Sequence, residues 1–253
     1  MNKQEFGELK DEFALIIYNY EKFIKDCILL DYKYNDRFFD LLQKVRFYEV
    51  ENALMARCIQ AHVENHDAEL EKIIDDFQKG YKQELSNAEV KHRIAIRVNE
   101  HNKKLTPEQV EEFEKEYVEF IKNHHPVGNA LLTKEEQEAY EKLKVYYYEN
   151  NIEGFHKAYE EAKAVFKTPE YPDEVFTKIS EYYYDIRKRI GQDFTRKQAL
   201  YPFTKKDVFV DDMSIAYEEG EIKATLSKLI SDNKKIHVDY SKAFGSDLTF
   251  KVE

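Results

Sequence analysis

The amino-acid sequence predicts an all-α fold, and two observations support this prediction. The 253 residues include only 7 Gly and 5 Pro, too few for the many turns that a β-sandwich or barrel requires. Apolar residues recur at spacings of three and four over long stretches, which places their side chains on one face of a helix. Hydrophobic residues make up 42% of the chain, which is enough for a packed core.

The first predicted element is a long helix with a narrow apolar seam. The heptad spacing of this seam runs from Phe6 to Tyr34 and resumes at Phe38 after one extra residue. Such a stutter locally unwinds a supercoil, so we expect a kink or break within residues 31–36. Asn52 is a polar seam residue of a kind that often sets helix register. The seam consists of Phe6, Leu9, Phe13, Ile16, Tyr20, Phe23, Cys27, Leu30, Tyr34, Phe38, Leu41, Val45, Tyr48, Asn52, Met55, Ile59 and His62.

A second helix is expected to fold back on the first. Polar residues 65–67 predict a turn, and apolar residues from Leu70 onward predict a helix to about Val98. Two long helices joined by a short turn favour an antiparallel coiled-coil hairpin, which we assign to residues 1–103. The exposed seam also leaves open self-association as a homodimer.

Two capping boxes mark helix starts in the central segment, residues 104–168. Thr106 and Gln109 form the first, with Pro107 at the first helical position. This helix should end before Pro126, because the residue preceding a proline avoids the helical conformation. Thr133 and Glu136 form the second capping box. After a break at residues 150–151, a short helix is expected to reach Phe166.

The C-terminal region, residues 169–253, is predicted to be helical with an irregular tail. Residues 168–172 are the best linker candidate, and a helix should follow and end near Gly191. Residues 194–213 read as an irregular connector, and the next helix should run from Met213 to Asp232 behind a cap at residues 211–212. Period-two alternation at residues 236–238 and 248–252 predicts a small hairpin or a frayed end.

Charge and composition exclude several classes of function. Lys and Arg total 39 against 50 Asp and Glu, a net charge of −11 that disfavours binding to nucleic acid. No apolar run reaches 18 residues, and the first residues lack the pattern of a secretory signal. Cys27 and Cys58 are isolated in helical patterns, which favours reduced thiols in the cytoplasm.

No motif identifies a catalytic, metal or cofactor site. His62 and His66 have the spacing of a zinc pair but lack a third ligand, and His124–His125 offers only two ligands. The acid pairs at residues 75–76 and 211–212 fit a solvated helix edge and a helix cap. We therefore predict no catalytic residue, no metal and no cofactor. An enzyme built from scattered carboxylates and histidines remains an alternative.

Residues 117–126 carry a family resemblance. Helix II of a J-domain ends in the pattern Tyr-x-x-Leu-Ala-x-x-x-His-Pro-Asp, and the segment from about 104 to 166 resembles that module from helix II onward. The resemblance implies an antiparallel helix pair that binds the chaperone Hsp70 and stimulates its ATPase. The partner-binding residues that it implies here are Tyr117, Phe120, Ile121, His125, Pro126 and Val127.

Three departures from this family shape the predicted function. Val127 replaces the aspartate of the loop and can neither accept a hydrogen bond nor carry charge. The helix before the loop is acidic where the family's is basic, and a long hairpin replaces the short helix I. We therefore expect a non-catalytic interaction or scaffold protein related to J-domain co-chaperones that does not stimulate Hsp70. The alternative is an active co-chaperone in which Glu135 or Glu136 supplies the missing acid.

Overall fold

The computed structural model describes residues 1–64, 66, 69–129, 131–166, 170–248 and 250, and these residues form an all-α fold without a strand. The α-helices are α1 (Lys3–Val63), α2 (Leu70–Asn102), α3 (Pro107–His124), α4 (Lys134–Tyr148), α5 (Ile152–Ala162), α6 (Phe176–Gln198) and α7 (Asp212–Phe244). Short 3₁₀ helices cover Asp173–Val175 and Phe203–Phe209. The predicted fold class and the long N-terminal helix are confirmed.

The chain forms two compact units, each assembled from separate stretches of sequence. Unit 1 contains residues 1–32 and 97–206, and unit 2 contains residues 33–96 and 207–253. Both α1 and α2 therefore contribute residues to both units. The predicted boundaries at residues 103 and 168 divide the chain in sequence order and stay a prediction.

In unit 2, α1 and α2 run antiparallel, as a hairpin requires. The Phe39 ring stacks on His92, and the Phe47 ring contacts Tyr81 further back along α2. Helix α7 packs beside α1 in the parallel sense, so that Asn52 lies near its middle and His62 contacts Phe244 near its end. The Asn52 carboxamide accepts from Asn233 at 2.8 Å and donates to the Leu229 carbonyl at 3.2 Å. The predicted register residue thus contacts α7.

In unit 1, α1 lies against α3, α4 and α6. Phe6 stacks on Phe176 with ring centroids 4.5 Å apart, and Phe13 stacks on Tyr183 at 4.2 Å, which aligns α6 parallel to α1. The rings of α3 and α4 meet in reverse order, because Phe113 contacts Tyr147 and Phe120 stacks on Tyr140. Helices α3 and α4 are therefore antiparallel, and the core of unit 1 lies between them and α1.

The helix starts that were predicted from capping residues are confirmed. Both capping boxes are present, with Thr106 bonded to Gln109 and Thr133 bonded to Glu136. The Asp211 carboxylate accepts from the Ser214 amide at 2.7 Å and caps α7. Side-chain oxygens in such positions satisfy amides that have no partner within the helix.

Several predicted boundaries are wrong. The break predicted within residues 31–36 is absent, because α1 is continuous there and Tyr34 and Phe38 on either side of the extra residue are both buried in one cluster. The alternative of a kink stays a prediction. Helix α6 passes Gly191 and ends at Gln198, since Phe194 packs on Phe23 and adds buried contacts beyond the glycine.

The predicted C-terminal hairpin is also wrong at its first strand. Residues 236–238 lie inside α7, which continues to Phe244 rather than stopping at Asp232. Helix α7 continues because Tyr240 is buried beside Met55 and Cys58 of α1. Thr249 and residues 251–252 of the second predicted strand lie outside the described residues, as do Thr168 and Pro169 of the predicted linker.

Candidate functional site

A second stripe of buried residues on α1 forms the floor of the candidate site in unit 1. The residues of the heptad seam are buried or half-buried, and beside them Ala14, Ile17, Glu21 and Lys25 are buried at spacings of three and four. Helix α1 is therefore covered on two faces. The second stripe carries a carboxylate and an ammonium group into the interior, where each needs a partner.

Glu21 is the centre of the first polar cluster. Its Oε2 atom accepts hydrogen bonds from the Tyr117 hydroxyl at 2.7 Å and from the Tyr140 hydroxyl at 2.8 Å. Its Oε1 atom lies 3.2 Å from His125 Nε2. These three donors come from α3, α4 and the connection between them, so the carboxylate of α1 ties all three segments together.

The hydrogen bonds around His125 fix the position of its ring proton. The Val127 amide donates to His125 Nδ1 at 3.1 Å, so Nδ1 acts as an acceptor. The proton is then assigned to Nε2, which faces Glu21. The connection is held further by the Tyr183 hydroxyl, which donates to the Gly128 carbonyl at 2.6 Å.

Burial and hydrogen bonding shift the pKa values in this cluster. Burial alone raises the pKa of the Glu21 carboxyl, but hydrogen bonds from His125, Tyr117 and Tyr140 outweigh it and the net pKa is lowered. Burial, reinforced by the Glu21 charge, holds the pKa of both tyrosine hydroxyls well above the ordinary value of 10.0. At neutral pH the cluster therefore holds an ionised carboxylate and protonated hydroxyls.

A second cluster lies one turn along α1, around Lys25 and Glu114. The Lys25 ammonium forms a buried ion pair with Glu114, whose Oε2 atom accepts from Tyr18 and Tyr147 at 2.7 Å each. Burial raises the pKa of the Glu114 carboxyl, but Lys25 and the two hydroxyls more than offset this, so the net pKa is lowered. The Lys25 ammonium also lies 4.2 Å from the centre of the Tyr147 ring.

The two clusters are joined by stacked rings. The Tyr117 and Tyr147 rings are 3.5 Å apart and nearly parallel, and each donates to a different carboxylate. The result is a continuous polar layer between α1, α3 and α4. Hydrogen bonds and one ion pair in this layer tie the three helices to one another.

The catalytic chemistry that this layer could perform is limited, because its polar groups are buried and bonded to one another. Both ring nitrogens of His125 are engaged, and both tyrosine hydroxyls point at Glu21. A general base needs a free acceptor within hydrogen-bond reach of a substrate proton. Glu21 is 5% exposed and Tyr117 and Tyr140 are 0% exposed, so in this arrangement these groups act on one another.

The structure brings most of the predicted partner-binding residues into this buried region. Tyr117, Phe120, Ile121 and His125 are buried, while Pro126 and Val127 are half-buried. The antiparallel helix pair with His125 and Pro126 in its connection is present, an arrangement that many all-α folds share. The J-domain resemblance and the partner-binding role of these residues stay predictions.

The neighbouring His124 packs against aromatic rings. Its ring contacts Phe166 at 4.3 Å and Phe120 at 5.1 Å, and its Nδ1 atom has no hydrogen-bond partner. Burial lowers the pKa of His124 to about 4, the nearby Glu136 opposing and Lys10 reinforcing the shift. His124 is therefore neutral at physiological pH.

The remaining sequence candidates for a metal or catalytic site belong to unit 2 and have contacts of their own there. His62 packs on Phe244, and Asp75 pairs with Lys79 at the exposed edge of α2. Among the described residues, no three His, Cys, Asp or Glu side chains are grouped as metal ligands would be.

Sequence reasoning missed Glu21, Lys25 and Glu114. Glu114 lies among other acidic residues in the sequence, and the partners of Glu21 and Glu114 lie 33 to 119 positions away. A local signal existed, because Glu21 continues the stripe that starts with Ala14 and Ile17. A carboxylate in an apolar stripe is a sign of a buried polar contact.

Comparisons with known proteins identify no relative of this chain. No family model, curated protein or solved structure matches this chain. Within the part of the chain that the structure describes, no helix has the length and apolar character needed to cross a membrane.

Proposed function

We propose that this chain is a non-catalytic protein-interaction or scaffold protein, related to J-domain co-chaperones, that does not stimulate Hsp70. The observation that carries the proposal is the inward-facing His125, which is bonded to Glu21 on one side and to the Val127 amide on the other. Because His125 is engaged in this way, the loop offers a partner no free imidazole. Because Val127 stands two positions further on, it offers no acid either. The coiled-coil character of the hairpin and a cytoplasmic location are part of this proposal.

The paired interior supports a role without catalysis. Glu21, Glu114 and Lys25 are bonded within the core of unit 1, where removing any one would leave a buried charge or hydroxyl unpaired. Such a layer fixes the positions of α1, α3 and α4 relative to one another. Rigid helices with fixed outer faces are what an interaction module requires.

The steady-state ATPase rate of a bacterial Hsp70 tests this proposal. The natural chain is compared with Val127→Asp, which supplies the missing carboxylate, and with Val127→Asn, which has the same shape without the charge. We expect no stimulation by the natural chain or by Val127→Asn. Stimulation by Val127→Asp alone would support the relation to J-domains, because only the charge distinguishes the two variants.

Two other outcomes decide against parts of the proposal. Stimulation by the natural chain would overturn the claim that it does not act on Hsp70. No stimulation by any of the three proteins would remove the J-domain relation and leave an interaction module of separate origin. Circular dichroism of all three proteins at the assay temperature ensures that a silent variant is folded.

An active co-chaperone with a variant loop is the second candidate. Of the two acids considered for it, Glu136 is buried and accepts the Thr133 amide at 2.8 Å in the capping box. Glu135 is exposed on the first turn of α4, so it is the remaining candidate for the missing acid. If the natural chain stimulates Hsp70, Glu135→Gln should abolish the effect, whereas Glu138→Gln on the next turn should not.

A further inference from the structure

A groove runs beside α3 and α5 on the side of unit 1. Its volume is about 730 Å³, and its apolar lining residues, which we call the floor, are Leu105, Phe113 and Ile152. This volume lies within the range of roughly 300–1,000 Å³ that ligand sites occupy. The apolar floor provides space in which an apolar side chain of a binding partner would be removed from water.

The rim of this groove is strongly acidic. Four glutamates line it against a single lysine, namely Glu112, Glu116, Glu153, Glu160 and Lys157. Its two histidines already have partners, since His156 lies 2.7 Å from Glu116 and His101 lies 3.1 Å from the Asn150 carbonyl.

The glutamates on this rim differ in whether they form a salt bridge. Glu160 bridges to Lys163 at 3.1 Å, whereas Glu112 and Glu153 form no salt bridge with any residue that the structure describes. Both are exposed. Their charges are therefore available to a ligand at little cost in existing contacts.

We infer that this groove binds a basic segment of a partner protein, with one apolar side chain seated on the floor and lysine or arginine side chains along the rim. The inference rests on the proposed interaction function and names the chemistry of the partner. Opposite charges steer the encounter and select the partner, while the buried apolar contact supplies affinity. Nucleic acid is a poor match, because the rim and the net charge of −11 both repel phosphates.

Fluorescence anisotropy with the full chain tests this inference. The probe is a fluorescein-labelled 14-residue peptide of Lys, Ala and Leu, with its leucines on one helical face. A second peptide has alanine at every leucine position, and a third has glutamate at every lysine position. The groove variant is Glu112→Gln/Glu153→Gln, and its control is Glu12→Gln/Glu181→Gln, which removes two exposed charges of α1 and α6 outside the groove.

The expected result is saturable binding of the leucine-containing basic peptide only. The groove variant should bind it roughly 2- to 10-fold more weakly, as expected for the loss of two partly exposed ion pairs, and the control variant should bind it as the natural chain does. Raising the ionic strength toward 0.15 M should weaken binding, because charges further apart than about 8 Å are then screened.

Three results would overturn the inference. These are no binding of the basic peptide, equal binding by the groove and control variants, and equal binding of the peptide without leucine. The two assays have different readouts, ATP hydrolysis by Hsp70 in one and peptide binding by the full chain in the other. Stimulation of Hsp70 by the natural chain would count against the proposed function alone, whereas failure of peptide binding would count against this inference alone.

Discussion

Replacing Glu21 by alanine removes the acceptor at the centre of the polar layer. The hydroxyls of Tyr117 and Tyr140 and the ring N–H of His125 lose their shared acceptor, which they now contact at 2.7, 2.8 and 3.2 Å. The two hydroxyls lie 3.2 Å apart and keep each other as partners. Each buried donor left unsatisfied costs about 1–3 kcal/mol. The three donors share one site and relax together, so the total cost is smaller than the sum of the three separate costs. We expect the free energy of unfolding to fall by about 3–5 kcal/mol.

Urea unfolding followed by circular dichroism measures this loss. The control is Glu12→Ala, which lies on the exposed side of the same helix and should change the free energy of unfolding by less than about 0.5 kcal/mol. Glu21→Gln keeps one acceptor but brings its amide N–H₂ toward a ring N–H, so an intermediate cost of about 1–3 kcal/mol is expected.

A double-mutant cycle separates the hydrogen bond from the general effect of truncation. Tyr140→Phe removes one hydroxyl without changing the ring, and its cost should be smaller in the Glu21→Ala background by at least about 1 kcal/mol. A coupling energy near zero, or equal losses for Glu21→Ala and Glu12→Ala, would refute the assignment of Glu21 as the shared acceptor.

Three further predictions concern other parts of the chain. The pKa of His124 is about 4 in the folded chain against an ordinary 6.5, so unfolded chains take up a proton first as pH falls. Stability should decline by up to about 3 kcal/mol between pH 6.5 and 4 through this group, and His124→Phe should lose that part of the pH dependence in urea titrations. Thr106→Ala should lower the free energy of unfolding by about 1 kcal/mol, with Thr106→Ser restoring most of it, because the cap loses its acceptor. Asn52→Ala should cost about 1–2 kcal/mol and Asn87→Ala, exposed on α2, almost nothing; equal thermal shifts would contradict the hydrogen-bonding role of the half-buried Asn52.

The sequence was sufficient for features that depend on neighbours in the chain. The capping boxes at Thr106 and Thr133 use residues three positions apart, and each is present as expected. The α1 seam is readable because its period is a property of one helix. The period-two alternation over residues 236–238 led to the wrong prediction of a strand, since three residues are too few to distinguish a strand from one turn of helix.

The polar layer could not be predicted in the same way. Its hydrogen bonds join Glu21 and Glu114 to residues on other helices, and the choice of partner depends on how α3 and α4 pack against α1. Periodicity identifies a buried face but not its partner. The end predicted at Gly191 failed for a related reason, because contacts of Phe194 with α1 outweigh the roughly 1 kcal/mol that a helical glycine costs.

The discontinuous make-up of unit 1 has a consequence for its synthesis on the ribosome. Glu21 emerges 119 residues before Tyr140, which at about 5–20 residues per second is a delay of roughly 6–24 s. Throughout that interval the N-terminal half of α1 has been made, but α4, which helps to cover its buried stripe, has not. The growing chain therefore carries an incompletely covered apolar stripe until α4 appears, and Glu21 lacks its Tyr140 donor for the same time.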